Sequence, residues 1–178
     1  MTRTKLYYRI LNKTYYKDLE RIHNLLIPEG QRVLEIGCGT GDLLASLKPS
    51  YGAGIELDPK ISRIASERHN QLDIFNLNAE AMLPEHLGNP DPFDIIVINN
   101  TLNTIKDVYE LLNKLSAYSH SKTRLVISFH NWLWQPFLKI AERIGQREPQ
   151  PPESWLTPGD LRNLLDISGW EVLKEGHR

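Results

Sequence analysis

The stretch VLEIGCGTGDLL at residues 33–44 constrains the fold more than any other part of the chain. An apolar run interrupted by one acid, Glu35, leads straight into glycines at positions 37, 39 and 41. A strand that ends in glycines and continues as a helix brings backbone N–H groups and a helix N-terminus close to a polar ligand. The spacing then discriminates between ligands. A dinucleotide fingerprint counted from Gly37 requires glycine or alanine at position 42, which is Asp42. A P-loop requires a lysine followed by serine or threonine after the glycines, and none stands there.

The rest of the chain repeats the strand-then-helix pattern. After an amphipathic stretch over 5–26 and a stop at Pro28 and Gly30, strands are expected at 32–36, 51–57, 72–77, 93–98, 124–129 and 170–174. Helices are expected at 42–47, 59–68, 108–118, 134–144 and 157–169, with Pro59 and Pro158 as first helical residues and Thr157 as a cap. Alternation with short turns predicts an α/β fold, a Rossmann-like three-layer sandwich with a mainly parallel sheet. Ligands of such sheets sit at the carboxyl ends of the strands, so 37–41, 56–58, 78–80, 99–103 and 130–132 are the segments to inspect.

Composition narrows the function classes. The formal net charge is −1, which offers no basic field for nucleic acid or anionic membrane. Cys38 is the only cysteine, so no intramolecular disulfide forms and a reduced, cytoplasmic setting is expected. The N-terminus lacks the continuous apolar core of a secretory signal, and no apolar run approaches the roughly 20 residues of a membrane span. The histidines have no metal-ligand spacing, and no metal is expected. One domain over 1–178 is expected, with a helical N-terminal segment (1–30) and a Rossmann-like core (31–178).

The segment EIGCGTG resembles the first motif of class I S-adenosylmethionine-dependent methyltransferases. The resemblance implies that Gly37, Cys38, Gly39 and Gly41 bring the backbone close to S-adenosyl-L-methionine, with Glu35 helping to hold its charged amino acid end. Glu56, in GIELDP, stands about 20 residues after the first glycine, where an acid accepts hydrogen bonds from ribose hydroxyls. Leu57 follows it in the implied site, whereas Asp58, with Pro59 after it, reads as a helix cap. NLNAEAMLP is similar to the family's D-A-x-x-L-P segment, which places Asn78 and Ala79 at the adenine. Asn78 stands where the family carries an acid; its amide oxygen accepts without charge assistance. FDIIVINNT resembles the family's fourth-strand motif, placing Asn99 beside the methyl donor and Asp94 in a structural role.

Methyl transfer asks mainly for alignment of the acceptor, and a hydroxyl acceptor benefits from a general base. His130, directly after the fifth strand, is the histidine placed for that role. Tyr15 and Tyr16 read as packing of an amphipathic helix, or as a cover over the cofactor. The aromatic stretch from Trp132 to Leu138 reads as a helix packed on the sheet in preference to a membrane-resting surface. Regions on both sides of the core also resemble methyltransferase domains of bacterial polysaccharide or cell-envelope gene neighbourhoods, some fused to glycosyltransferases. That resemblance does not identify an acceptor; a small molecule or a glycan-like intermediate is expected, methylated on oxygen ahead of nitrogen. A second reading is a cofactor-binding module without independent catalysis; a nucleic-acid methyltransferase ranks third. Class I members close the sheet with a seventh, antiparallel strand, and the sequence stops at Arg178 before one. The expectation is a fragment, or an open sheet edge covered by a further domain or partner.

Overall fold

The computed structural model describes residues 12–88, 90–129, 140, 143 and 156–176. Helix α1 (Lys13–Leu26) buries Leu19 and His23, one turn apart, with Tyr16 packed against the same cluster. Ile27 ends it, donating its N–H to His23 O, and Pro28 and a left-handed Gly30 turn the chain into β1 (Arg32–Ile36). Residues 33–36 are all buried. That follows from a strand with neighbours on both sides and helices over both faces.

The remaining elements are α2 (Asp42–Ser46), β2 (Tyr51–Glu56), α3 (Pro59–Arg68), β3 (Asp73–Asn76), β4 (Phe93–Asn99), α4 (Val108–Leu115), β5 (Ser119–Ser128) and α5 (Pro158–Ile167). Each longer helix after α1 starts where its sequence says it should. Asp58 Oδ1 accepts from Lys60 N at 2.8 Å, Asp107 Oδ1 accepts from Glu110 N at 2.8 Å, and Thr157 and Asp160 form a reciprocal capping box.

The strands form one sheet in the order β3-β2-β1-β4-β5, every pair parallel. The chain moves outward from β1 through β2 to β3, then crosses back to the other flank of β1 as β4. That reversal opens a crevice between the carboxyl ends of β1 and β4. Strand alternation divides the core into two layers. Leu34, Ile36, Ile55, Ile96 and Ile98 pack under α4 and α5, while Val33, Ile95 and Val97 pack with Leu19, Leu43, Leu44 and Leu47.

The strand expected at 170–174 is not formed; residues 170–176 carry no regular structure. The segment is bound to helices instead of a strand edge. Trp170 donates its N–H to Leu165 O and its indole Nε1–H to Leu112 O at 3.2 Å, and Glu175 pairs with Arg162 of α5. The third strand is shorter than expected: Leu72 is drawn into the core beside α2, and Leu77 N is shared between Glu56 O of β2 and Phe75 O of its own strand. The fifth starts earlier, at Ser119, past an irregularity between Phe93 and Ile95. Of the helix expected at 134–144, only residues 140 and 143 are among the described residues, and both are helical. Among the described residues no helix is long and apolar enough to cross a membrane.

Candidate cofactor site

The glycine loop closes the mouth of β1. Gly37 N and Cys38 N both donate to Ile55 O, at 2.8 and 2.9 Å, so the loop stays attached to β2 as it turns. Gly37, Gly39 and Gly41 all have φ between +57° and +75°, the left-handed region that side chains disfavour. Gly37 and Gly39 do different jobs. A Cβ on Gly37 would come within 2.2 Å of Thr101 Oγ1, so this glycine lets the loop after β4 lie directly on the loop after β1. Among the described residues, a Cβ on Gly39 would meet nothing within 4 Å. Cys38 is buried, its sulfur 2.7 Å from where a Cβ on Gly54 would lie, so its side chain packs on β2. Glu35 is buried inside β1, opposite Gly54 and Val97.

Asp42, the residue that breaks the dinucleotide pattern, braces the loop from behind. It accepts from Thr40 Oγ1 at 2.7 Å, from His69 Nε2 at 2.9 Å and from Arg68, joining the first turn of α2 to the end of α3.

Glu56 ends β2 at 5% exposure and faces the glycine loop. Its Oε2 accepts from Gly39 N at 3.0 Å and its Oε1 from Asp58 N at 2.9 Å. These two bonds fix the orientation of the Glu56 carboxylate at the mouth of the glycine loop. Asn76 fixes the neighbouring backbone by donating Nδ2–H to both Glu56 O and Leu57 O at 2.9 Å. Leu57 itself is 66% exposed at the strand end. Open space at Gly39 beside an oriented, buried carboxylate fits the ribose and methionyl parts of S-adenosylmethionine.

Asn78 and Ala79 lie past the end of β3 in a 3-10 turn. Asn78 Oδ1 caps the turn by accepting from Glu80 N at 3.0 Å, and Ala79 is buried in the core. On the far side of the crevice, Asn99 Oδ1 accepts from Ser128 Oγ at 2.5 Å, tying β4 to β5. Asn100 takes φ +53° and donates its N–H to Ser128 O and its Nδ2–H to the hydroxyl of Tyr15, at 2.7 Å each. The tyrosine pair on α1 therefore divides. Tyr16 packs into the core, and Tyr15, edge-on to it at 5.3 Å, reaches the loop after β4. His130, Asn131 and Trp132 lie outside the described residues.

Asn76 is the participant that sequence reasoning missed, although a polar amide at a strand end is a legible signal. Glu80 and Thr101 fall within the segments expected at the strand ends, but their partners, at long sequence separations, gave no local signal. The groups with shifted pKa values lie elsewhere. The backbone N–H of Arg32, then His120, hold the Asp94 carboxyl below its usual range at the opposite end of the strands, consistent with a structural role for Asp94. Burial pushes the Tyr118 hydroxyl up to about 12.

A parallel sheet reversed at β1, a glycine loop opening on that reversal and an acid at the end of β2 define a Rossmann-like S-adenosylmethionine-dependent methyltransferase. The family model described as Methyltransferase domain matches residues 8–175, and the chain belongs to that family. Its cofactor is S-adenosylmethionine. Among curated relatives, the bifunctional methionine biosynthesis protein MetXA/MetW of Rhodopirellula baltica is 26% identical over 79% of this chain and 25% of its own. The ubiquinone biosynthesis O-methyltransferase of Bradyrhizobium diazoefficiens is 29% identical over 76% of this chain and 56% of its own. The chain thus spans between a quarter and about half of these relatives. Two solved structures share the fold. A Thermotoga maritima methyltransferase described as a possible histamine N-methyltransferase has a TM-score of 0.72, with 20% identity over 93% of this chain and 75% of its own. Magnesium protoporphyrin IX methyltransferase from Synechocystis, with bound S-adenosylhomocysteine, has a TM-score of 0.67, with 16% identity over 99% and 82%.

Proposed function

We propose that this protein, a single methyltransferase domain over 1–178, methylates a hydroxyl oxygen of a small-molecule or glycan-like acceptor. We further propose that it belongs to bacterial polysaccharide or cell-envelope chemistry in the cytoplasm. The observation that carries the cofactor part is the pairing of Gly39 N with buried Glu56 beside the open face of Gly39. The sequence likeness to ubiquinone O-methyltransferases supports oxygen as the acceptor atom.

When bound, S-adenosylmethionine supplies an electrophilic methyl group on a sulfonium that is already a good leaving group. The chain's task is then orientation. Glu56 receives the ribose hydroxyls, Gly37, Cys38, Gly39 and Gly41 give the methionyl part close approach, and Glu35 meets its ammonium. Leu57, Asn78 and Ala79 line the adenine side, and Asn99 stands where cofactor and acceptor meet. His130 would accept the proton of the acceptor hydroxyl, as the base that O-methylation needs.

Calorimetry with S-adenosylmethionine, S-adenosylhomocysteine and NAD tests the cofactor assignment; tight binding of NAD alone would overturn it. Glu56→Ala is expected to weaken S-adenosylhomocysteine binding by about 1–3 kcal/mol, the scale for removing one partner of a charged hydrogen-bonding site. With labelled cofactor and a panel of hydroxylated acceptors, His130→Ala is expected to depress turnover most near neutral pH. Turnover unchanged across pH removes His130 from the mechanism.

A further inference from the structure

We propose that Glu80 is a positioning residue that sets the width of the site between the adenine-side loop after β3 and the loop after β4. This rests on the assignment of Asn78 and Ala79 to the adenine side. All three polar parts of Glu80 bridge these loops or shape them. Its N–H donates to Asn78 Oδ1 at 3.0 Å, which orients the amide proposed to meet the base. Its carbonyl accepts from Lys114 Nζ on α4, and Lys114 also pairs with Glu110 at 2.8 Å. Its Oε1 accepts from both Lys106 N, at 2.9 Å, and Asp107 N, at 3.0 Å.

Lys106 and Asp107 are exposed, so water would satisfy their N–H groups if Glu80 were absent. The carboxylate is therefore not needed to rescue buried donors; what it contributes is a fixed spacing. Both of its anchors are firm. Ala79 is held in the core, and Asp107 caps α4, which is seated by buried Val108, Leu111, Leu112 and Leu115. The segment from Asn100 to Asp107 is thus pinned at one end to Ser128 O and at the other to Glu80. Buried Leu102 and Ile105 seat the middle of that segment, so loss of the second pin releases its exposed end at Lys106 and Asp107 together with the orientation of Asn78. Glu80 acts through Asn78 and this segment and touches no reacting atom.

The test is a series read by calorimetry with S-adenosylhomocysteine and with adenosine, which probes the adenine side alone. Glu80→Gln keeps an acceptor oxygen at the same reach and is expected to bind both within about threefold of wild type, since both backbone donors keep a partner. Glu80→Asp, one methylene shorter, and Glu80→Ala are expected to bind both about tenfold more weakly, the scale of one charge-assisted bond. Thr157→Ala, which removes the cap of α5, serves as a stability control. It lowers the melting temperature and leaves both affinities in place. Wild-type affinity in Glu80→Asp, or an equal loss in Thr157→Ala, overturns the proposal. Wild-type protein that binds neither probe overturns the cofactor assignment itself, and the two failures are therefore distinct.

Discussion

The glycines at 37 and 39 both take a left-handed φ but have different surroundings, and substitution separates their roles. Gly39→Ala is expected to fold with a penalty of about 1–2 kcal/mol for a left-handed alanine, while the added methyl intrudes on the cofactor's approach. Its signature is a modest fall in melting temperature with S-adenosylhomocysteine binding abolished. Gly37→Ala carries the same backbone penalty and adds a collision with Thr101, at 2.2 Å from its Oγ1. Here the melting temperature is expected to fall further than for Gly39→Ala, because the two loops must separate. If the two variants are equally stable, the contact between the loops does not carry weight. The role of Asp58 was legible by spacing alone, since an aspartate directly before a proline is placed to cap the helix that follows. The role of Glu80 was not legible. Its partners Lys106 and Asp107 lie across β4, and nothing in a local window announces a carboxylate aimed at two distant N–H groups.

At the scale of elements, the ends of the sheet opposite the crevice are tied by polar contacts around Asp94. Its Oδ2 accepts from Arg32 N at 2.9 Å and its Oδ1 from His120 Nε2 at 3.2 Å, so one side chain on β4 joins β1 and β5. Because the folded carboxyl titrates below its unfolded value, its contribution is fully present above about pH 4, the unfolded carboxylate range. It is lost as pH falls through the lower, folded value. Denaturant midpoints measured from pH 7 down to 3 are expected to drop less steeply for Asp94→Asn than for wild type. Identical slopes would mean that the contact contributes nothing to acid stability. Element boundaries were legible wherever a cap or a proline marks them, as at Pro59 and Thr157. They were misread where tertiary contacts decide. Leu72 looked like strand and belongs to the core beside α2, and WEVLK has strand-like residues whose tryptophan docks on α4.

At the scale of the molecule, alternation of strands and helices was enough to predict a parallel sheet. It was not enough to predict the strand order. Any of several orders satisfies the same alternation, and the choice of β4 as the second neighbour of β1 depends on pairings between residues far apart, such as Val33 with Ile95. The crevice inherits that non-locality. One wall is built by the first strand and the other by the fourth, and Tyr15 reaches Asn100 from a helix that precedes both. Contacts of such high sequence separation close late, after the entropy of ordering the intervening chain has been met. A refolding chain therefore regains helix before it regains a cofactor site. In stopped-flow refolding, S-adenosylhomocysteine capture is expected to lag the far-ultraviolet signal, and simultaneous recovery would count against this order. A consequence of the reversal at β1 is that the site acts as its own proofreader: a chain that has mispaired its fourth strand has nowhere to hold a methyl donor.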